Sequence, residues 1–192
     1  MHELSHALST RPTSFPLRTL IARAPSTSAS KRFTQLVWRA FQRQEGHDHN
    51  AFGHLVVTDA KPGRCMAEMT VERKQINRLG GLHGGLIASL VDTMGSLALA
   101  SKGMYMTGVS TDMSQTFVRG AKLGEKIRIE SEVVNMGKTL AFTRTELHSA
   151  ETGKLLAFGS HTKYIADALK SPKNVKLSDD GERVVEGEEP QE

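Results

Sequence analysis

The chain has 192 residues, 17 glycines, six prolines and one cysteine, and its formal net charge is +4 at neutral pH. A length of this order suits one domain with extensions. Cys65 has no second cysteine for an internal disulfide, and the chain contains no CxxC or HExxH motif, so no zinc site is expected. The mild positive charge suits an anionic small ligand. The sequence lacks the basic stripe with interleaved aromatic residues that is typical of nucleic-acid binding, so nucleic acid is not the expected ligand.

The first segment, residues 1–30, is basic and almost free of acids. No acidic residue occurs from Leu4 to Gln44, while arginines are spread through a background rich in serine and threonine. That composition is typical of a mitochondrial transit peptide, and a basic tail without a targeting role is the alternative. We therefore expect a mitochondrial location, with a cytoplasmic location as the alternative.

The next segment, residues 31–44, predicts a short amphipathic helix. Its polar face carries Arg and Gln, and its apolar face consists of Phe33, Leu36, Val37, Ala40 and Phe41. We expect the apolar face to dock on the domain, and binding to a membrane surface is the alternative. The GHDHN segment, residues 46–50, is predicted to be a solvated loop, because its two histidines are not followed by further ligands at metal-binding spacing.

Strands are predicted on both sides of a central helix. Two precede it, at residues 54–58 and 64–71, and four follow it, at 108–118, 126–133, 138–149 and 154–165. This order predicts an α+β fold in which an antiparallel sheet, with its last four strands in a meander, wraps around the helix. It disfavours a Rossmann-type dinucleotide site. The charged segment 167–192 is predicted to be disordered.

The central helix is predicted within residues 79–101, where apolar residues recur at spacings of three and four. It should begin near Gly84 or Gly85 and be largely buried. Its glycines, His83 and a mid-segment acid argue against a membrane span, so no transmembrane segment is expected. The acid, Asp92, carries the only formal charge of the segment. We expect it to lie among apolar residues, partly buried and functional.

The start of this helix is a candidate site for a carbonyl oxygen. Backbone N–H groups at His83-Gly84-Gly85 have no partner within the helix, and glycine lets a thioester or ester approach closely. Asp92 lies eight residues further on, about 12 Å along the helix axis from Gly84. One chain cannot easily bring both groups to one carbonyl. If both act, the acid is expected to come from a second copy of the chain across a two-fold interface.

Several segments together resemble the hotdog-fold acyl-CoA thioesterases of the phenylacetate type. They are Asn77, Leu82-His83-Gly84-Gly85, Ser89-Leu90-Val91-Asp92, Gly108-Val109-Ser110-Thr111-Asp112-Met113 and Gly137-Lys138-Thr139-Leu140-Ala141-Phe142. The resemblance covers roughly residues 31–166, which defines the expected domain. It implies a hotdog fold that hydrolyses medium- and long-chain acyl-CoA to fatty acid and CoA without a cofactor or metal.

The resemblance also implies roles for individual residues. Gly84 would polarise the thioester carbonyl through its N–H, and Asn77 and His83 would orient the thioester or support the turn. Asp92 of the neighbouring subunit would act as general base or nucleophile, and Ser110 would hold the attacking water. From the residues alone, Asn77 in such a turn, His83 and Ser110 in a strand are more often structural. Together with Asp92 they form a plausible general-base hydrolysis site.

Binding of the CoA moiety is expected to involve Gly85 at the turn and three basic residues, Arg119, Lys138 and Lys163, as phosphate contacts. A solvated strand edge explains the three basic residues equally well. The resemblance implies a homodimer, with dimers pairing into tetramers. Two alternatives to hydrolysis remain, namely a hotdog protein that binds CoA esters without hydrolysing them and a hotdog hydratase that acts on a double bond of the acyl chain.

Overall fold

A computed structural model describes residues 27–190 of the chain. The predicted targeting segment therefore lies, for residues 1–26, outside the described residues. The helices are α1 (Ala29–Gln42), α2 (His47–Phe52) and α3 (Gly84–Ala100), with 3₁₀ turns at Arg73–Gln75 and Ala168–Lys170. The strands are β1 (Val56–Lys61), β2 (Arg64–Thr70), β3 (Val109–Phe117), β4 (Lys126–Met136), β5 (Leu140–Ser149), β6 (Leu155–Tyr164), β7 (Lys176–Leu177) and β8 (Val184–Glu186).

Strands β1 to β6 form one antiparallel sheet in the order β1-β2-β4-β5-β6-β3. The meander is confirmed for β4, β5 and β6 but is wrong for β3, which pairs with β6 at the sheet edge. The reason lies in the connection between β3 and β4. Instead of forming a tight turn, it bonds to neighbouring segments: Leu82 N–H donates to Ala121 O, and Gly124 N–H donates to Val71 O. The β3–β4 connection therefore passes the start of α3, and β4 begins beside β2 instead of beside β3.

Helix α3 is the centre of the core, as predicted. Leu90, Met94 and Leu97 are fully buried, and the helix packs against β4, β5 and β6. Two glycines permit this close approach. A Cβ added at Gly95 would lie 2.6 Å from Thr143 Oγ1, and one at Gly159 would lie 3.0 Å from Val91 Cγ2. Within residues 27–190, none of the helices combines the length and the apolar character needed to cross a bilayer.

The predicted amphipathic helix is α1, and it docks on the domain. It begins at Ala29, and its N-cap Ser28 accepts a hydrogen bond from Lys31 N–H at 3.2 Å. Phe33 and Val37 are fully buried, and Trp38 Nε1 donates to Leu55 O at 2.9 Å. Because the protein itself covers this apolar face, the membrane-surface alternative is wrong.

The GHDHN segment is not a loop, which corrects the prediction. It forms α2, whose Phe52 is fully buried and stacks on Trp38 with a ring-centroid distance of 6.0 Å. The aromatic contact lies beyond the histidine-rich stretch that suggested a solvated loop. It fixes α2 against α1 and so places the histidines and Asp48 beside α3.

The prediction of disorder after residue 166 is wrong for residues 167–190. The hairpin of β7 and β8 follows the second 3₁₀ turn, and Val175 is 7% exposed. Val175 N–H donates to Gly103 O, and Ser30 N–H donates to Gly181 O. Gly103 is required there, because its φ is +94° and a Cβ would lie 2.1 Å from Val175 O. The charged composition of this segment does not reveal that Val175 packs into the core.

Candidate functional site

Asp92 lines a cleft of about 830 Å³, a size typical of ligand pockets. Its side chain is 45% exposed in the single chain. The cleft lies between the end of α1, the start of α2, the middle of α3 and the segments before β3 and after β6; its lining includes Phe41, Asp48, Tyr105, Ser110 and Lys163. The acid thus faces a space large enough for a ligand.

Asp92 is not surrounded by apolar groups alone, in contrast to the sequence-based expectation. Its Oδ1 lies 3.3 Å from Ser110 Oγ, 3.4 Å from Lys163 Nζ and 3.6 Å from His161 Nε2. None of the contacts found within residues 27–190 involves Oδ2. One carboxylate oxygen is therefore held in place while the other remains available for a ligand or water.

Lys163 and His161 reach this acid because of the alternation along β6. Ala157, Gly159, His161 and Lys163 are buried there, and the residues between them are more exposed. Lys163 is 3% exposed, and its Nζ also donates to Ser96 Oγ at 2.8 Å. The expectation that Lys163 contacts phosphate is therefore wrong, because its ammonium is buried and already bonded.

Burial shapes the ionisation of both β6 side chains. It lowers the pKa of Lys163, and the carboxylates of Asp92 and Asp48 oppose this effect. Burial and the charge of Lys163 lower the pKa of His161, against the opposing charges of Asp92 and Asp112. His161 is therefore neutral at neutral pH, and the neighbouring carboxylates favour the ammonium form of Lys163 against the effect of burial.

Ser110 connects His161 to Asp92. Its Oγ lies 2.9 Å from His161 Nε2 and 3.3 Å from Asp92 Oδ1. His161 Nδ1 is buried and has no hydrogen-bond partner among the described residues. We assign the imidazole proton to Nε2, because that nitrogen has an acceptor within reach. His161 then donates to Ser110 Oγ, and the Ser110 hydroxyl donates to Asp92 Oδ1.

Helix α2 braces α3 on both sides of the acid, a contribution that sequence reasoning missed. His47 Nε2 lies 2.7 Å from Ser89 Oγ, and Thr93 Oγ1 donates to Asp48 Oδ1 at 2.8 Å. Ser89 and Thr93 lie on the helix turn that presents Asp92. The signal available in the sequence was Phe52, whose apolar side chain follows the polar stretch at a spacing that permits a helical turn.

The turn before α3 presents a free backbone donor. His83 is the N-cap, and its Nδ1 accepts a hydrogen bond from Gly85 N–H at 2.9 Å. Gly84 N–H has no hydrogen-bond partner within the described part of the chain, as expected for the first residue of a helix. A Cβ at Gly84 would lie 3.3 Å from the Phe117 ring. Gly84 therefore lies beside the end of β3.

Asn77 shapes the same turn. Its Oδ1 accepts hydrogen bonds from Leu79 N–H at 2.8 Å and from Gly81 N–H at 3.3 Å. Its Nδ2 donates no hydrogen bond within residues 27–190, so this donor is available to a ligand. Asn77 thus stabilises the turn through its side-chain oxygen, while its side-chain Nδ2 can still donate to a ligand.

The structure brings the predicted residues together in two groups. One group contains Asp92, Ser110 and Lys163, and the other contains Asn77, His83, Gly84 and Gly85 at the opposite end of β3. Arg119 follows β3 near the second group and is exposed, while Lys138 lies exposed in the turn between β4 and β5. Within a single chain, the acid and the Gly84 donor do not meet.

Two further basic residues near the turn were missed from the sequence. Arg78 follows Asn77, and Lys122 faces Gly81 across a backbone bridge; both are exposed. Neither side chain has an ion pair within residues 27–190. With Arg119 they form a basic rim around the turn, which we define as Arg78, Arg119 and Lys122.

A second depression, of about 380 Å³, is a weaker candidate. Its charged residues are largely paired: Arg64 with Glu132 at 2.8 Å and Arg144 with Glu146 at 2.7 Å. Cys65 borders it but is 1% exposed, and burial raises the pKa of its thiol, so it is no nucleophile. Among the described residues, no group of three His, Cys, Asp or Glu side chains could hold a metal ion.

Comparison with known families matches residues 79–156 to the thioesterase superfamily. Acyl-coenzyme A thioesterase 13 of Homo sapiens is 45% identical over 115 residues, which is 60% of this chain and 82% of the relative. The chain belongs to the thioesterase superfamily.

Solved structures of thioesterase superfamily members share the fold. Thioesterase superfamily member 2 of zebra fish superposes with a TM-score of 0.66 at 38% identity, over 70% of this chain and 96% of that chain. The Mus musculus structure of the same name gives 0.63 at 39% identity, over 69% and 96%. The predicted hotdog fold, an antiparallel sheet around a long central helix, is confirmed.

Proposed function

We propose that this thioesterase-superfamily protein hydrolyses medium- and long-chain fatty acyl-CoA to free fatty acid and CoA. The observation that carries the proposal is the asymmetric setting of Asp92. Its Oδ1 is held by neighbouring side chains, while its Oδ2 remains available beside a cleft of ligand size. A carboxylate in this setting suits general-base attack by water. The unpartnered Gly84 N–H supplies the matching donor for a carbonyl oxygen.

In the proposed mechanism, Asp92 Oδ2 removes a proton from water as the water oxygen adds to the thioester carbonyl carbon. Ser110 Oγ accepts from His161, so it keeps one lone pair for a hydrogen of the same water. Gly84 N–H, at the positive end of α3, binds the oxygen that becomes negative. The C–S bond then breaks, and the CoA thiolate takes up the proton that Asp92 holds.

The remaining predicted residues support the turn in this mechanism. His83 Nδ1 fixes Gly85 N–H, which leaves the Gly84 N–H as the donor pointing out of the helix end. Asn77 fixes the turn through Oδ1, and its free Nδ2 is placed to orient the thioester. Gly85, which is exposed, leaves room for the substrate.

We further propose that the site is completed by a second copy of the chain. Strand β3 lies at the edge of the sheet, and Val109 and Phe117 on it are 63% and 55% exposed. A long exposed edge strand with apolar side chains is a template for pairing with another chain. A homodimer formed through β3 would cover these side chains, and pairing of two dimers into a tetramer is a further proposal.

The positions of the two groups along β3 support this arrangement. Antiparallel pairing of β3 with its copy, centred on Ser114, would set Met113 opposite Gln115. The bulge between Ser110 and Asp112 would then bring Ser110 of one chain opposite Phe117 of the other. Ser110 bonds to Asp92, and Phe117 lies against Gly84. The two-fold axis would therefore bring the acid of one protomer towards the donor of its partner.

The substrate assignment is supported by the two ends of this shared site. The cleft beside Asp92 has apolar lining from Phe41, Tyr105, Met106 and Val109, which suits an alkyl chain. The basic rim of Arg78, Arg119 and Lys122 surrounds the turn at Gly84 and suits the phosphates of CoA. Lys138 lies apart from this rim, in the turn between β4 and β5.

The decisive experiment measures thiol release from saturated acyl-CoA esters of increasing chain length by the purified protein. We expect turnover that favours medium and long chains and that is abolished in the Asp92→Ala variant while the dimer persists in sedimentation. Binding of acyl-CoA without thiol release would instead identify a CoA-ester-binding protein. Loss of enoyl absorbance without thiol release would identify a hydratase.

A mitochondrial location is also proposed, from the basic composition of residues 1–30, in which Glu3 is the one acid. The test compares the distribution of a fluorescent fusion of the full chain with that of a fusion beginning at Thr27. We expect only the full chain to reach mitochondria. Identical cytoplasmic distributions of the two fusions would favour the alternative.

A further inference from the structure

Lys163 is an unusual residue for the interior of a sheet. It is 3% exposed, and its ammonium contacts two polar side chains, Asp92 Oδ1 at 3.4 Å and Ser96 Oγ at 2.8 Å. A buried ammonium without an anionic partner is costly, so its position must be compensated by these contacts. Asp92 and Ser96 are one helical turn apart on α3, and Lys163 bridges them.

The charges around Asp92 make this cation important. Helix α2 contributes Asp48 and His47, β3 contributes Asp112 and Ser110, and β6 contributes His161 and Lys163. Asp48 and Asp112 are acids, and burial keeps His161 neutral. Among the described residues, Lys163 is therefore the cation in contact with the Asp92 carboxylate, and without it the carboxylate would face other acids.

We propose that Lys163 is the positioning residue of the site: its ammonium is held by Ser96 Oγ and fixes Asp92 Oδ1, which leaves Oδ2 directed to the water from which it removes a proton. This inference rests on the proposed thioester hydrolysis and deepens it. Lys163 does not touch the reacting atoms. It acts through Asp92, so its loss changes the state and the orientation of the base rather than the binding of substrate.

A purely structural lysine would behave differently. If Lys163 only filled space between β6 and α3, an uncharged side chain of similar length would substitute for it. Lys163→Met removes the charge with little change in volume, and Lys163→Gln keeps a donor for Ser96 but loses the charge. Lys154→Met is the matched control, because Lys154 is exposed at the turn before β6.

The first measurement does not depend on catalysis. The carboxyl carbon of Asp92 is observed by NMR with ¹³C-labelled aspartate, and its resonance is assigned by its absence in Asp92→Asn. We expect this resonance to shift in Lys163→Met and Lys163→Gln, because the carboxylate loses the ammonium that holds Oδ1 in place. Lys154→Met should give the resonance of the unmodified protein.

The second measurement separates kcat from KM with a long-chain acyl-CoA. We expect both Lys163 variants to lose about tenfold or more in kcat with little change in KM, because the base is misoriented while the substrate contacts remain. Circular dichroism and sedimentation establish that the variants are folded and assembled. If Lys163→Met does not fold, Lys163→Gln decides.

The two proposals fail in distinguishable ways. Absence of thiol release by the unmodified protein would overturn the proposed function, and the carboxyl resonance would then decide the inference alone. An unchanged Asp92 resonance in folded Lys163 variants would overturn the role of Lys163, whatever their activity. Normal thiol release together with unchanged kcat in those variants would overturn it as well.

Discussion

The two ends of β3 present opposite kinds of chemistry. At the Ser110 end, Asp92 Oδ1 is in contact with three side chains from β3 and β6. At the Phe117 end, Gly84 presents a backbone N–H that has no partner among residues 27–190, beside a ring that is 55% exposed. One end is densely bonded within the chain, and the other is left open.

The two ends of β3 meet different requirements of the proposed thioester hydrolysis, one for a base and the other for an oxyanion donor. A base must be held in one orientation and ionisation state, which needs neighbours from its own fold. A donor for a developing oxyanion must stay unpaired until substrate arrives, which needs an open helix end. Because Gly84 and Asp92 lie eight residues apart on one helix, the proposed mechanism requires a second chain to bring the two ends together.

The largest effect is expected at the bonded end. Asp92→Asn removes the base but keeps the size of the side chain, so kcat should fall by about 10²–10⁴-fold. Stability should fall as well, because the buried Lys163 ammonium loses its anionic partner. Thiol release measured beside the Asp59→Asn control checks the loss of kcat, since Asp59 borders the other depression. A variant that retains most of its turnover would show that Asp92 is not the base.

The next effect tests the open end. Gly84 is the first residue of α3, where proline is tolerated and removes only the N–H, so Gly84→Pro should lower kcat by about 10²–10³-fold. Gly84→Ala is the matched control, because its Cβ meets the same Phe117 ring but the donor remains. Equal activities of the two variants would mean that contact with Phe117, and not the donor, matters.

Mixing the two inactive variants tests whether the ends meet across a dimer. After Asp92→Asn and Gly84→Pro chains exchange subunits, half of the dimers are mixed, and each mixed dimer has one intact site. Activity should therefore recover to about a quarter of the unmodified level. No recovery, with subunit exchange shown by differently tagged chains, would place the whole site within one chain.

The smallest effect concerns the basic rim. Replacing Arg78, Arg119 and Lys122 together by alanine should raise KM for acyl-CoA several-fold and weaken its dependence on salt, because exposed charges contribute modestly and are screened. Hydrolysis of acyl-N-acetylcysteamine, which lacks phosphates, should not change. Lys154→Ala serves as the control, and an equal loss with both substrates would contradict a phosphate contact.

The sequence predicted the fold best where its periodicity was strong. The 3.6-residue pattern of α3 and the period-two pattern of β4 each extend over many residues, so the helix and strands were located nearly correctly. The placement of β3 was missed because strand order depends on contacts between distant segments, such as Leu82 with Ala121, which no local pattern records. The packed segment after residue 166 was missed because the segment is charged on average, although its Val175 is buried.

The candidate site divides in the same way. His83, Gly84, Asp92 and Ser110 could be proposed from the sequence because residue type and spacing, together with a family resemblance, are local properties. The supporting contacts of His161, Ser96 and Asp48 could not, and Lys163 was expected to contact phosphate rather than Asp92. Its charge was visible in the sequence, but its inward direction depends on which face of β6 meets α3.

The sequence by itself determined that a long apolar helix carries one acid and begins at a glycine turn, and that strands follow it. Only the tertiary structure decided the surroundings of that acid. Gly95 and Gly159 let α3 approach β5 and β6 closely, and this packing brings Lys163 and Ser110 to Asp92. Chain order fixes which residues are available, whereas the packing of distant segments decides which of them share one carboxylate.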